Sequence, residues 1–193
     1  MSVKFYNDNA EEFFNNTVNA DMSATYNIFE DNLLEKNGEI LDLGCGSGRD
    51  AKHFLDSGFS VTALDLSPIL AKKASQFIGQ DVIVADMKNL DFQDRFIGIW
   101  ACASLLHLSE DEVLETIKRC HKALKKDGVL YASFKYGENS YEKDGRSFTC
   151  FTKDKFLNLI EGLDFYYRAT FETGDVRPGR ENEKWLNVIL KKG

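Results

Sequence analysis

Proline is scarce in this chain, two in 193 residues, and no stretch is repetitive or strongly biased, which excludes a fibrous or broadly disordered polypeptide. Cysteine is sparse too: Cys45, Cys102, Cys120 and Cys150 stand far apart and never form a C-x-x-C pair. Neither a zinc site nor a redox pair is therefore expected, no metal is assigned, and the four read as reduced thiols. No window approaches the ~18 apolar residues of a membrane span. The opening Met1-Ser2-Val3-Lys4-Phe5-Tyr6-Asn7-Asp8 lacks a basic segment followed by an apolar one, so the expectation is a cytoplasmic protein with no membrane partner. Positive charge is in deficit, 24 Lys plus Arg against 31 Asp plus Glu for a net −7. That field repels phosphate backbones, and nucleic acid is not expected as a partner.

What is present reads as one domain over residues 1–193, with three parts. Residues 1–37 carry apolar side chains at helical spacing (Phe13, Phe14, Val18, Met22, Tyr26, Phe29, Leu33) up to Asn37-Gly38, predicting one or two leading helices. Residues 38–135 alternate strand and helix. Strands are expected at Glu39–Leu43, Ser60–Leu64, Val82–Ala85, Phe96–Ala103 and Val129–Phe134, and helices at Arg49–Asp56, Pro68–Phe77 and Glu110–Lys125, with a turn at Lys126-Asp127-Gly128. Such alternation predicts an α/β, doubly wound, Rossmann-like sheet, mostly parallel and seven-stranded, with helices on both faces. In residues 136–193 a helix over Lys153–Leu159 precedes strands at Phe165–Phe171 and Trp185–Leu190, joined by the loop Gly174-Asp175-Val176-Arg177-Pro178-Gly179-Arg180. With no helix between them, these two strands should form an antiparallel hairpin.

The sharpest motif is Asp42-Leu43-Gly44-Cys45-Gly46-Ser47-Gly48-Arg49, between the first buried strand and the first helix of the alternating part. Glycines there let a ligand approach the main chain without meeting a side chain. A dinucleotide fingerprint would need a small residue where Arg49 stands. The x-Gly-x-Gly-x-Gly spacing after Asp42 instead resembles the class I S-adenosylmethionine-dependent methyltransferases, closely over about residues 38–135 and loosely at the ends. The loop and the chain's size are also similar, more weakly, to the tellurite-resistance and thiopurine type of small methyltransferases, which act on soft nucleophiles. The resemblance implies that S-adenosylmethionine is bound, with S-adenosylhomocysteine as product, through Asp42, Gly44, Cys45, Gly46 and Arg49. Asp65, at the end of the second strand, would take the ribose hydroxyls, Asp86 and the Met87 amide the adenine, and Leu66 and Met87 its two faces. Ala103 would border the cofactor at the fourth strand. Each position has a plainer reading: a tight strand-to-helix turn for the glycines, a helix cap for Asp65 ahead of Ser67-Pro68, an ordinary turn carboxylate for Asp86.

For the acceptor side, His107 closes the run Ser104-Leu105-Leu106-His107 and could take a proton from an oxygen or nitrogen; a pocket-lining histidine is the alternative. Tyr6 and Phe13 suit a lid over the cofactor, as the leading segments of small family members provide, although core packing accounts for Phe13 equally. Tyr6 joins His107 as a candidate catalytic residue. Cys102 reads as packing, and His53 and His121 as helix-surface residues. Lys135, Tyr136 and Arg146, then Arg177, Arg180, Lys184 and Trp185, form a second polar group, from which Lys135, Arg177, Arg180 and Trp185 are the substrate-binding candidates. Two nearby arginines could fork a carboxylate, or simply occupy a solvated loop. The expected partner is a small-molecule methyl acceptor, anionic or a soft nucleophile, met by a monomer or weak homodimer. A non-catalytic S-adenosylmethionine-binding protein and a nicotinamide-dependent oxidoreductase are the competing functions; Arg49, too large for its place in a dinucleotide fingerprint, argues against the latter.

Overall fold

The structure is a computed structural model and describes residues 2–177, 180 and 182–193. Three short helices lead, α1 (Ser2–Asp8), α2 (Ala10–Thr17) and α3 (Ser23–Asn32), where one or two were expected. They are followed by β1 (Glu39–Leu43), α4 (Arg49–Asp56), β2 (Ser60–Asp65), α5 (Pro68–Ile78), β3 (Ile83–Val84), β4 (Phe96–Ala101), α6 (Glu110–Ala123) and β5 (Leu124–Tyr136). A small hairpin of β6 (Tyr141–Lys143) and β7 (Arg146–Phe148) then precedes β8 (Cys150–Phe151), α7 (Lys153–Leu159), β9 (Phe165–Gly174) and β10 (Lys184–Lys192).

Chemistry at the element ends accounts for several boundaries. The Ser67 hydroxyl accepts from Leu70 N at 3.1 Å and Pro68 occupies the first turn of α5, where its missing N–H costs nothing. Ser109 and Glu112 cap α6 reciprocally, satisfying two donors that the helix start would otherwise leave unpaired.

The main sheet runs β3-β2-β1-β4-β5-β10-β9, with two-residue β8 added beside the end of β5. β10 is antiparallel to both β5 and β9, and the pairs among β3, β2, β1, β4 and β5 are parallel. The mostly parallel, doubly wound sheet with a C-terminal antiparallel pair is thus as expected: seven strands lie on the path and β8 is an extra. Two details differ. The Lys126-Asp127-Gly128 turn lies inside β5, as an irregularity where the register to β4 jumps from Phe96–Leu124 to Gly98–Val129 and Asp127 adopts φ 62°. The third strand shrinks to two exposed residues at the sheet edge.

Central strands are covered on both faces, which explains their unbroken apolar runs; all six residues of β4 are buried. Leu41, Leu43, Ile99 and Leu130 pack with Val113 and Ile117 of α6 on one face. Ile40, Trp100 and Tyr131 pack with Phe29 of α3 and Phe54 of α4 on the other. α3 is therefore core, whereas α1 and α2 lie against α5 and bring Tyr6 and Phe13 to a cavity. Strand order reverses between β1 and β4, and side chains at the carboxyl ends of these strands define the cavity, as expected of open α/β sheets.

Gly98 in β4 is where α3 comes closest: a Cβ there would sit 2.6 Å from the Phe29 ring. Gly98→Ala should lose about 1–3 kcal/mol of unfolding free energy from overpacking, read as a lower urea midpoint at unchanged slope.

Candidate functional site

The strand-to-helix turn after β1 is pressed from both sides. The amides of Gly44 and Cys45 both donate to the Leu64 carbonyl at 2.9 Å, tying the loop to β2. Gly44 has φ 81°, and a Cβ on it would meet Ser104 Cβ at 2.6 Å and Met87 Cε at 3.3 Å. Gly46, at φ 54°, would meet the Phe13 ring at 3.0 Å. Any side chain at these positions would fill the cradle, so bare backbone faces a cavity of about 540 Å³, a size suited to a small ligand.

Asp65 ends β2 at the rim. One carboxylate oxygen accepts from Gly46 N at 2.9 Å and the other from Ser67 N at 2.8 Å. The helix-cap and ligand readings thus meet in one residue: it braces the turn before α5 and the glycine loop together, and each oxygen keeps a further lone pair. Burial raises its pKa, against the pull of the backbone amides. Asp86 also lines the cavity, and accepts from Lys88 N at 2.9 Å, opening the helical turn Met87–Asn89. Leu66, Met87, Cys45 and Ala103 are at the same wall. Ala103 adopts φ 51° and donates to the Ser133 hydroxyl at 2.8 Å.

Asp42 is a correction. It is 1% exposed and is absent from the cavity wall, with one oxygen unpartnered among the described residues. Burial, with the charge of Asp50 beside it, raises its pKa well above the carboxylate range. The side chain lies beneath the loop, because alternate residues of a strand share a face and Asp42 shares that of buried Ile40. Arg49 does reach the cavity, but its fork is filled: Nε and Nη2 donate to the two Asp50 oxygens at 2.6 and 2.9 Å. Asp50 also accepts from Trp100 Nε1 at 2.9 Å and from the Tyr26 hydroxyl. Burial raises the Asp50 pKa, yet Arg49, Tyr26 and Trp100 outweigh it and hold the group ionised. This network escaped the sequence reading. The opposite charges of Arg49-Asp50 at the start of α4 were a visible signal; Tyr26 and Trp100 gave none.

Across the cavity, His107 ends the short turn Leu105–His107. Its Nδ1 lies 2.8 Å from the Ser147 carbonyl, so in the neutral ring Nδ1 carries the proton. Nε2 is then an acceptor, and the Tyr6 hydroxyl donates to it at 2.7 Å. Burial lowers the His107 pKa, with Arg146 adding to the effect and the Ser147 carbonyl opposing it. Burial raises that of Tyr6, opposed by Arg146. The two sequence candidates, 101 residues apart, thus form one hydrogen-bonded pair.

The arginine fork expected in the C-terminal part is not formed. Arg177 points both arms at Asp175, at 2.8 and 2.6 Å, while Arg180 lies 3.8 Å from Glu183. Lys135 is shared between Asp175 and Glu183 and stands 3.8 Å over the Trp185 ring, whose Nε1 donates to Asp175 at 3.2 Å. Burial raises the Asp175 pKa, but Arg177 and Lys135 hold it well below the carboxylate range. All four predicted residues line the cavity, with their charges largely met by these acids. Pro178 and Gly179 lie outside the described residues.

Residues 40–128 match the family model described as a methyltransferase domain, and there the likeness to class I S-adenosylmethionine-dependent methyltransferases is borne out. Among similar curated proteins, the malonyl-[acyl-carrier protein] O-methyltransferase of Pseudescherichia vulneris is 34% identical over 52% of this chain and 42% of its own. Alpha N-terminal protein methyltransferase 1 of Caenorhabditis elegans is 32% identical over 57% of this chain and 52% of its own. The chain spans about half the length of the curated relatives it matches. In fold it resembles the Burkholderia thailandensis 1,6-didemethyltoxoflavin-N1-methyltransferase, crystallised with 1,6-didemethyltoxoflavin and S-adenosylhomocysteine. That likeness has a TM-score of 0.80 at 24% identity and covers 99% of this chain and 85% of that one.

Asp50→Ala would leave the Arg49 guanidinium buried without its carboxylate. It should cost about 3–5 kcal/mol in equilibrium urea unfolding, far more than replacing an exposed acid such as Asp56.

Proposed function

We propose that this protein is an S-adenosylmethionine-dependent methyltransferase whose acceptor is a small molecule, operating in the cytoplasm. The observation that carries the reading is the Tyr6–His107 pair, which faces the same cavity as the Gly44–Gly46 cradle and Asp65. A nucleoside cradle and a proton-accepting dyad sharing one cavity suit group transfer to an acceptor better than storage or sensing of the nucleoside.

The residues fit the cofactor. Bare loop backbone leaves room for it, the remaining lone pairs of Asp65 suit two ribose hydroxyls, and Asp86, Leu66 and Met87 suit the base. When bound, S-adenosylmethionine supplies a methyl group on a sulfonium, open to displacement by a nucleophile. The protein's part is then to position the acceptor and exclude water, with α1 and α2 as a roof through Tyr6 and Phe13. His107 Nε2 accepts the acceptor's proton, directly or through the Tyr6 hydroxyl, and the Ser147 carbonyl steadies the imidazolium formed. A cavity of about 540 Å³ with Tyr6 and Phe13 across it favours a small acceptor over a malonyl-acyl carrier protein or a protein N-terminus, the acceptors named for two of the relatives. The non-catalytic alternative leaves the Tyr6–His107 pair unexplained.

Calorimetric titration with S-adenosylmethionine and S-adenosylhomocysteine, with NADH as control, tests the cofactor directly. Micromolar binding of the first two and none of NADH is expected, and failure of both to bind would end the methyltransferase reading. In the same titration Asp65→Ala should weaken S-adenosylhomocysteine about tenfold to a hundredfold, the worth of hydrogen bonds to a charged group.

The pH profile tests the base. Burial lowers the His107 pKa, so the ring is neutral at and above its ordinary value of about 6.5 and protonates only further into acid. The expected kcat/KM is flat near neutrality and falls in acid with a midpoint below about 6.5. His107→Gln should lower the plateau about 10²- to 10⁴-fold and abolish that limb; an unchanged limb would remove His107 as base.

A further inference from the structure

Nearly every cation inside the cavity is matched by a carboxylate of the protein itself. Arg49 faces Asp50, Arg177 faces Asp175, and Lys135 lies between Asp175 and Glu183. Arg146, the first residue of β7, is different. Its side chain is 12% exposed, its Nε is buried with no hydrogen-bond partner among the described residues, and its acidic neighbour, Asp144, is a mostly exposed side chain 3.5 Å from one arm. The guanidinium also lies over rings, 3.7 Å from the Phe5 centroid and 5.2 Å from that of Phe148. Burying a guanidinium on such terms is costly unless a further acceptor completes its bonds.

The surroundings describe that acceptor. Arg146 lies beside the proton-accepting pair, since Phe5 under its guanidinium meets the Tyr6 ring at 5.6 Å and Phe148 meets that of His107. Phe148 stacks on Tyr141 at 5.0 Å and 16°, and its ring meets His107 edge-on at 5.1 Å. Tyr6 and Phe13 form another edge contact at 5.2 Å. The cation is thus set in an aromatic enclosure, where flat ligands pack best, and its own plane suits two-point contact with a carboxylate or a similar oxyanion.

We propose that Arg146 is the specificity-determining residue for the acceptor, binding an oxyanion on a small planar substrate whose acidic O–H or N–H is the atom methylated. The proposal rests on the methyltransferase reading and names the substrate class of the same site. As the acceptor's lone pair forms the bond to the methyl carbon, the carbon–sulfur pair stays on sulfur. The acceptor's proton passes to the Tyr6 oxygen while the Tyr6 proton moves to His107 Nε2. An acceptor that brings a negative charge also offsets the imidazolium that Arg146 would otherwise oppose.

The test uses the full chain saturated with S-adenosylhomocysteine, titrated calorimetrically with benzoate, its neutral counterpart benzamide, and cyclohexanecarboxylate, equally charged but not flat. Binding of S-adenosylhomocysteine is measured first; its failure sinks the methyltransferase reading and this proposal with it. Given that binding, benzoate should bind at least tenfold more tightly than either other probe. Arg146→Met should remove most of the preference over benzamide, and Arg146→Lys should retain part of it, since charge remains without the fork. If benzoate and benzamide bind alike, or neither binds, the proposal fails whether or not the variants fold. A preference that survives in folded Arg146→Met would assign the anion to another cation and overturn it equally. Parity of benzoate with cyclohexanecarboxylate would overturn the planar requirement.

Discussion

The buried Asp50 carboxylate is the interaction on which the site's architecture depends. Taking a carboxylate and a guanidinium out of water costs several kcal/mol for each ion. The cost is recovered only when their hydrogen-bonding positions are met in good geometry. Here the two Asp50 oxygens accept from Arg49, Trp100 and Tyr26, which join the start of α4, the end of β4 and the core helix α3. The glycine loop enters α4 one residue before Arg49, so its exit is set by this network and its entry by the paired amides on the Leu64 carbonyl. Burial, with the Asp50 charge so close by, raises the pKa of Asp42 in turn.

Around that anchor the cavity divides by chemistry. One wall is backbone and short side chains at the carboxyl ends of β1, β2 and β4, suited to a nucleoside. The other is aromatic and cationic, from α1, the turn at His107, the β6–β7 hairpin and β10. Ion pairing consumes most of the second wall's charge, so a cation-rich lining does not by itself make an anion site. What matters is which guanidinium keeps a buried nitrogen with no partner among the described residues, and the β6–β7 hairpin supplies it.

The fold was legible from local patterns because the parallel strands, covered on both faces, must be apolar throughout, while capping residues and glycines end the helices between them. Gly44, Gly46 and Asp65 were legible for a related reason: a close approach of backbone and a carboxylate at a strand end are local requirements written within a few residues. Asp42 was misplaced because motif spacing does not say to which face a side chain turns. The C-terminal fork was misread because Asp175, two residues before Arg177, was not weighed as its partner. The β6–β7 hairpin passed unnoticed, its strands being too short to show alternation.

Sequence alone determined the order of strands and helices, the glycine loop and the candidates Tyr6 and His107, since each depends on neighbours along the chain. Tertiary structure alone decided that Tyr6 and His107 are one pair and that Tyr26 and Trp100 complete the Asp50 network. Those outcomes depend on which side chains meet across 24 to 101 residues of chain, and burial, which sets the cost of every unmet charge, exists only once the sheet is covered on both faces.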